Sequence, residues 1–298
     1  MHSVSFSKTT QVHLALFLTM MVWGVNLSAV KGLTESLDIL LVAAIRMVIA
    51  SVVLAAIAWR WGRALKHWTW REWSFLLVAA FFLVYGQQIL FAAGLAKTSA
   101  TNAALVMALG PMVSLGFEAL AFRRLILPRQ IAGIGLALAG VAAVILNRQN
   151  ATLSSAAWGD FWIFCSVLGF ALGGLCIQRL TLNAAPLSVS LAVHGVGALM
   201  LCLHLLATLD APLQHFQDMT LRHWTLAGFS GILATGIGSV VWSLGISTIG
   251  VGRTSSFISW VPIFGFMFGV LFFSEPVTTW HVIGLVGVIW GSMWVVRR

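Results

Sequence analysis

Charge is what this 298-residue chain has least of: Asp, Glu, Lys and Arg make up 8% of it, and only eight residues are acidic. Soluble domains carry about 25% charged residues, so a soluble globular protein is excluded. Cysteine is scarce too. Cys165, Cys176 and Cys202 lie in apolar runs without any ligand-type spacing, which excludes a disulfide framework and a thiolate metal site. They read as small packing residues. No Gly-rich phosphate loop ending in Lys-Ser/Thr, no HExxH and no GxSxG occurs. The eight acids are scattered rather than clustered, so neither an enzyme nor a cofactor or metal site is expected. There is no low-complexity tract and no linker long enough to hold a separate soluble domain.

What fills the chain is apolar. Hydrophobic residues make up 60% and the mean hydropathy is +0.98. A run of about 20 apolar residues spans a bilayer as a helix, and such runs recur throughout. Ten segments follow: 12–31, 39–59, 73–94, 100–121, 130–147, 159–178, 187–208, 224–246, 254–273 and 278–296. The expected class is an all-α membrane protein with ten transmembrane helices, and the lipid bilayer is its first partner.

The formal net charge of +9 does not point to nucleic acid. Its cations are spread over short loops, as orientation signals are. With the N-terminus inside, Lys8, Arg60, Arg63, Lys66, Arg71, Arg123, Arg124, Arg129, Arg179, Arg253, Arg297 and Arg298 face the cytoplasm, 12 of the 17 Lys and Arg. Lys31, Lys97, Arg148 and Arg222 fall outside, and Arg46 lies within a segment. Both termini are therefore expected on the cytoplasmic side. Segment 1 follows Lys8 and reaches small residues near Ser28 and Ala29, as a signal peptide would. Cleavage there would leave nine helices and break the pairing described next, so an uncleaved first helix is expected.

The chain repeats itself. Residues 91–144, displaced by 151, fall without a gap on 242–295: Gly94 on Gly245, Pro111 on Pro262, Phe122 on Phe273, Gly133 on Gly284 and Gly140 on Gly291. A displacement of 148 carries segments 1 and 2 onto 6 and 7, so that Lys31 meets Arg179 and Arg46 meets His194. Two repeats, 1–148 and 159–298, each hold five segments. Five is odd, so the second must enter the membrane from the opposite side, giving two inverted five-helix repeats. Transporters built this way hold substrate near the midplane between the halves, beside interrupted helices.

Pro111 and Pro262 fall near the middle of segments 4 and 9. Each lacks an N–H and clashes with the carbonyl four residues back, freeing the carbonyls of Met107 and Ile258. The expected result is a kink that shapes a cavity, the alternative an ordinary membrane-helix proline. Arg46 lies about 10 Å into segment 2 at 1.5 Å per residue. Such a residue faces a bundle interior or wet cavity. It either pairs with a substrate carboxylate, which its planar fork suits, or ties the two halves together.

His194 is the candidate for carrying a proton in exchange with substrate, since imidazole titrates near neutrality; a neutral packing histidine is the alternative. Hydrogen-bonding groups in apolar surroundings complete the candidate set: Asn26, Tyr85, Gln87, Gln88, Asn102, Ser239, and Ser255, Ser256 and Ser259. Any of these also serves as glue between helices. Most of the 14 Trp sit at segment ends, as interfacial residues do, whereas Trp23, Trp242 and Trp260 lie deeper. Gly133 and Gly140 in segment 5 and Gly284, Gly287 and Gly291 in segment 10 make small faces. They either join the halves or form a homodimer interface.

Trp23-Gly24-Val25-Asn26 followed by Lys31 resembles the WGxN…K signature of the drug/metabolite transporter superfamily, in its ten-helix EamA-type branch. Arg46 in AAIRMVIAS resembles the same branch, as do Gly94–Leu105 with Pro111, and Gly245, Arg253, Pro262, Glu275, Gly284 and Gly291 in the second half. Two positions depart from the pattern: Arg124 stands where an acidic residue is common, and Gly250–Gly252 replaces an Ala-rich run. The resemblance implies a secondary transporter of the bacterial inner membrane that exports a small metabolite, an amino acid or an amino-acid-derived compound. Its alternatives are import by the same fold, or an accessory subunit of lipid-linked translocation. The resemblance implies a small-molecule substrate as partner and no cofactor.

Overall fold

The computed structural model describes residues 8–60, 67–123, 125–146, 155–210, 216–273 and 278–296. Among the described residues there are helices and no strands. In chain order they are α1 (Lys8–Thr34), α2 (Ile39–Arg60), α3 (Trp70–Lys97), α4 (Ala100–Met107 and Gly110–Phe122), α5 (Pro128–Leu146), α6 (Ser155–Leu180), α7 (Pro186–Thr208), α8 (Leu221–Ile249), α9 (Val251–Ser256, Phe257–Trp260 and Val261–Phe273) and α10 (Thr279–Val296). Eight of these, α1 to α4 and α6 to α9, are long and apolar enough to cross a membrane, and α5 is a shorter apolar helix. Arg63, Lys66, Arg124, Arg148, Arg297 and Arg298, used above for orientation, and Glu275 lie outside the described residues.

Polar side chains at the turns start the helices. Asp38 accepts from the backbone N–H of Leu40 and Leu41 at 2.8 and 3.1 Å, satisfying donors that a helix start leaves unpaired. Thr69 and Glu72 form a reciprocal capping box, and Thr220 with His223 forms the same box displaced by 151. A second pair recurs with the same displacement. Gln130 Oε1 accepts from Leu127 N at 2.9 Å, and His281 Nδ1 accepts from Thr278 N at 3.1 Å. Imidazole nitrogen replaces a carboxylate or amide oxygen each time, so the chemistry of the cap is kept while the residue changes.

Interruptions recur in register too. α3 widens to i→i+5 bonding over Ala80–Gly86, and α8 does so over Phe229–Ile237. α4 breaks between Met107 and Gly110, while the break in α9 is a tight turn at Phe257–Trp260. Pro111 and Pro262 each follow an interruption. Pro111 is within the first two residues of the second piece of α4, where a missing N–H has no intrahelical partner to lose, whereas Pro262 follows a tight turn that runs on into the rest of α9.

The helices pack across the sequence rather than along it. α1 lies against α8 and α9, α6 against α3 and α4, α2 against α7 and α8, and α7 against α3. α5 and α10 form a seam of their own, in which a Cβ added at Gly140 would stand 2.9 Å from the Gly284 carbonyl oxygen. The glycine faces expected either to join the halves or to pair two copies are thus consumed inside one chain. Large apolar side chains such as Leu14, Val52, Leu199 and Leu203 are exposed on the outside, which suits lipid and not water.

Candidate functional site

A cavity opens in the middle of the bundle, bounded by α1, α2, α3 and α4 on one side and α6, α7 and α8 on the other. Its volume is about 80 Å³, smaller than the roughly 300–1,000 Å³ of drug-sized ligand sites. The structure brings together Trp23, Asn26, Arg46, Gln88, Met107, His194, Ser239 and Trp242, all expected from the sequence, along with Gln87.

Other candidates lie elsewhere. Tyr85 Oη is bonded to His204 Nδ1 at 3.0 Å on the α3–α7 face. Asn102 is buried in the first turn of α4, its N–H on Ser99 Oγ. Ser256 Oγ donates to the Arg253 carbonyl at 2.6 Å. Trp260 is 44% exposed and meets Phe17 edge-on at 5.1 Å. Neither Pro111 nor Pro262 lines the cavity, although Gly110 and Ile258 line a small apolar extension of it beside Trp23, Gln87 and Phe170.

Among the described residues Arg46 is the largest fully buried side chain, 1% exposed. Its Nη1 donates to Gln88 Oε1 at 2.9 Å, its Nε donates to Ser230 Oγ, and Ser230 Oγ in turn donates to Asn26 Oδ1. The guanidinium carbon stands 5.8 Å from the centroid of the Phe91 ring. One polar chain therefore links α1, α2, α3 and α8. Among the described residues no carboxylate is paired with Arg46, no acceptor is bonded to its Nη2, and no Asp or Glu lines the cavity.

Opposite stands an aromatic triangle. Trp23, Phe170 and Trp242 lie with centroids 5.0 to 5.7 Å apart and rings tilted or edge-on, the geometry aromatic pairs prefer. Trp23 Nε1 donates to the Ala234 carbonyl at 2.8 Å, within the widened stretch of α8. Local i→i+5 bonding often marks a functional position in a helix. Trp242 Nε1 and Gln87 Oε1 have no hydrogen-bond partner although both are buried, and an unmade buried bond costs about 1–3 kcal/mol. His194 Nδ1 lies 2.9 Å from the Ser190 carbonyl. A carbonyl only accepts, so Nδ1 carries the hydrogen, and neutral His194 keeps Nε2 as an acceptor.

Phe170, Thr235, Ser243 and Ser230 escaped the sequence reading. Phe170 is one of 19 phenylalanines, with nothing local to mark it. Ser230 and Thr235 lie in the stretch of α8 that widens, where α-helical spacing misplaces them, whereas Ser243 follows Ser239 by one regular helical turn.

A many-helix membrane protein with a central cavity between two sets of crossing helices defines the class. The EamA-like transporter family profile matches residues 10–146 and again 157–297, and the chain belongs to that family. It is 25% identical over 291 residues to the uncharacterized transporter YetK of Bacillus subtilis (strain 168), covering 97% of this chain and 87% of that one. It is 29% identical over 212 residues to the uncharacterized transporter YyaM of the same strain, covering 70% and 68%. A solved crystal structure superposes with a TM-score of 0.71 at 16% identity over 96% of each chain, a likeness of fold.

Proposed function

We propose that this multi-pass membrane protein is a secondary-active exporter of a small amino-acid-derived metabolite in the bacterial inner membrane. It works by alternating access of two inverted five-helix halves, 1–148 and 159–298, with ten membrane crossings and both termini in the cytoplasm. α5 and α10 supply the two crossings beyond the eight long helices. Support for the halves comes from caps and interruptions that recur 151 residues apart, and from contacts that keep their pattern when the halves are exchanged.

The observation that carries the proposal is the cavity itself, walled by helices of both halves and holding an uncompensated guanidinium. A substrate carboxylate completes Arg46 through the bare Nη2. Rocking one half against the other would uncover that site to each side in turn. His194, bonded only to its own helix through Nδ1, is the proton-coupling candidate.

Metabolites in the medium, compared with and without overexpression, identify the cargo, and flux into or out of proteoliposomes gives its direction. Arg46→Ala is expected to abolish flux, a loss of at least tenfold, while the protein still reaches the membrane. Wild-type flux in that variant would remove Arg46 from both substrate binding and gating.

A further inference from the structure

We infer that the cavity takes a carboxylate whose nitrogen carries no charge, an N-acylated or otherwise blocked amino acid, in preference to a free zwitterion; this rests on the transport reading above. The reason is electrostatic balance. Arg46 is an ion in an apolar bundle with no described acidic partner, and such a charge is costly unless paired. A monoanion neutralises the cavity. A free amino acid brings its own cation along with its carboxylate, so the cavity and cargo together keep a net positive charge. Proton uptake by His194 would push in the same direction.

Hydrogen-bonding capacity agrees with the charge. Two donors wait, Arg46 Nη2 and Trp242 Nε1, and both suit carboxylate oxygens. Two neutral acceptors wait, Gln87 Oε1 and His194 Nε2. An amide N–H needs only one of them, whereas an ammonium group would leave a third donor bare and its charge unbalanced. The rings of Trp23 and Phe170, set edge to face, offer apolar surface for a side chain or acyl group.

The test uses the full-length protein in lipid nanodiscs, titrated with N-acetyl-L-phenylalanine, L-phenylalanine and 2-phenylethylamine and read by thermal stabilisation. Affinity is expected to fall at least tenfold from the acetylated acid to the free amino acid, and at least tenfold again to the amine. Equal or tighter binding of the free amino acid or the amine overturns the inference, and so does binding of none of the three. Arg46→Gln should erase the preference for the anion.

Should that variant fail to fold, Trp242→Phe keeps the ring and removes only the N–H. It should weaken the acetylated acid roughly tenfold, as for a hydrogen bond to an ion, and leave the amine unchanged. An equal loss for all three probes counts against the inference. Flux in proteoliposomes separates the two claims. Binding in the expected order without flux sinks the transport reading alone, while preferred flux of the free amino acid sinks the charge assignment alone.

Discussion

The two ends of the bundle are built from corresponding residues and are closed by different forces. At the end where α3 meets α4 and α6 begins, the closure is directional. Thr98 Oγ1 donates to Asp160 Oδ1 at 2.6 Å in a buried site, and Lys97 Nζ stands 4.8 Å over the Trp162 ring. Ser36 Oγ lies 2.9 Å from His223 Nε2. Backbone also meets backbone there: a Cβ added at Gly159 would stand 2.9 Å from Thr98 N and 3.0 Å from the Gly94 oxygen.

At the opposite end the same displacements put Ile249 and Val12 where Thr98 and Asp160 stand, Leu14 for Trp162, and Gln11 for Gly159. Rings meet there instead, Phe17 on Trp260 at 5.1 Å and His13 near Phe257 at 5.6 Å. One end thus carries a polar latch, and rings form part of the seal at the other. Separating the latch breaks bonds of fixed geometry. Separating the seal exposes apolar area to whatever fills the gap.

The comparison breaks hardest at Gly159. Gly159→Leu drives a side chain into backbone that has no rotamer to yield, so a loss above the roughly 1–3 kcal/mol of ordinary overpacking is expected. Thermal unfolding and flux both report it. Leu14→Ala, at the other end and on the exposed outside, should change neither measurably. Equal damage at the two sites would mean the ends are not different in kind.

The latch itself comes next. In a background lacking Cys165, Cys176 and Cys202, Thr98→Cys with Asp160→Cys should form a disulfide on oxidation. Flux should stop when it forms and return with reductant. Transport at the wild-type rate by the cross-linked protein would show that this end never opens. Unlinked, Asp160→Asn or Thr98→Val should lower stability by about 1–3 kcal/mol, as loss of a buried bond does. Either should also speed thiol labelling of Ser239→Cys from that side.

The smallest effect belongs to Ser36→Ala. Its bond to His223 is exposed, so water replaces it and stability should move by less than about 0.5 kcal/mol. A larger shift in a thermal melt would make the exposed contact part of the latch.

Much of the fold is readable in the sequence because lipid demands long apolar runs and satisfied backbones. Each segment appears as a helix within a few residues of its expected ends. Within the cavity, Arg46, Asn26 and Gln88 stand out by being polar in apolar runs. Thr98 and Asp160 do not, because both sit near turns where polar residues are ordinary, and their pairing depends on a crossing between helices 62 positions apart. A proline in an apolar run signals an interrupted helix, and Pro111 and Pro262 each stand just after one; its form depends on the residues before it, in α4 Ala108 and Leu109.

The glycine seam between α5 and α10 limits how such a machine can move. Where backbone touches backbone there is no side chain to rearrange and no slack to take up, so the two helices cannot part without leaving a void that lipid cannot enter. They can still roll on each other. The seam would then act as a fulcrum shared by both halves, with the broken helices α4 and α9, which precede α5 and α10 in the chain, as the lever arms. Stiffening it would slow every stroke without touching the cargo.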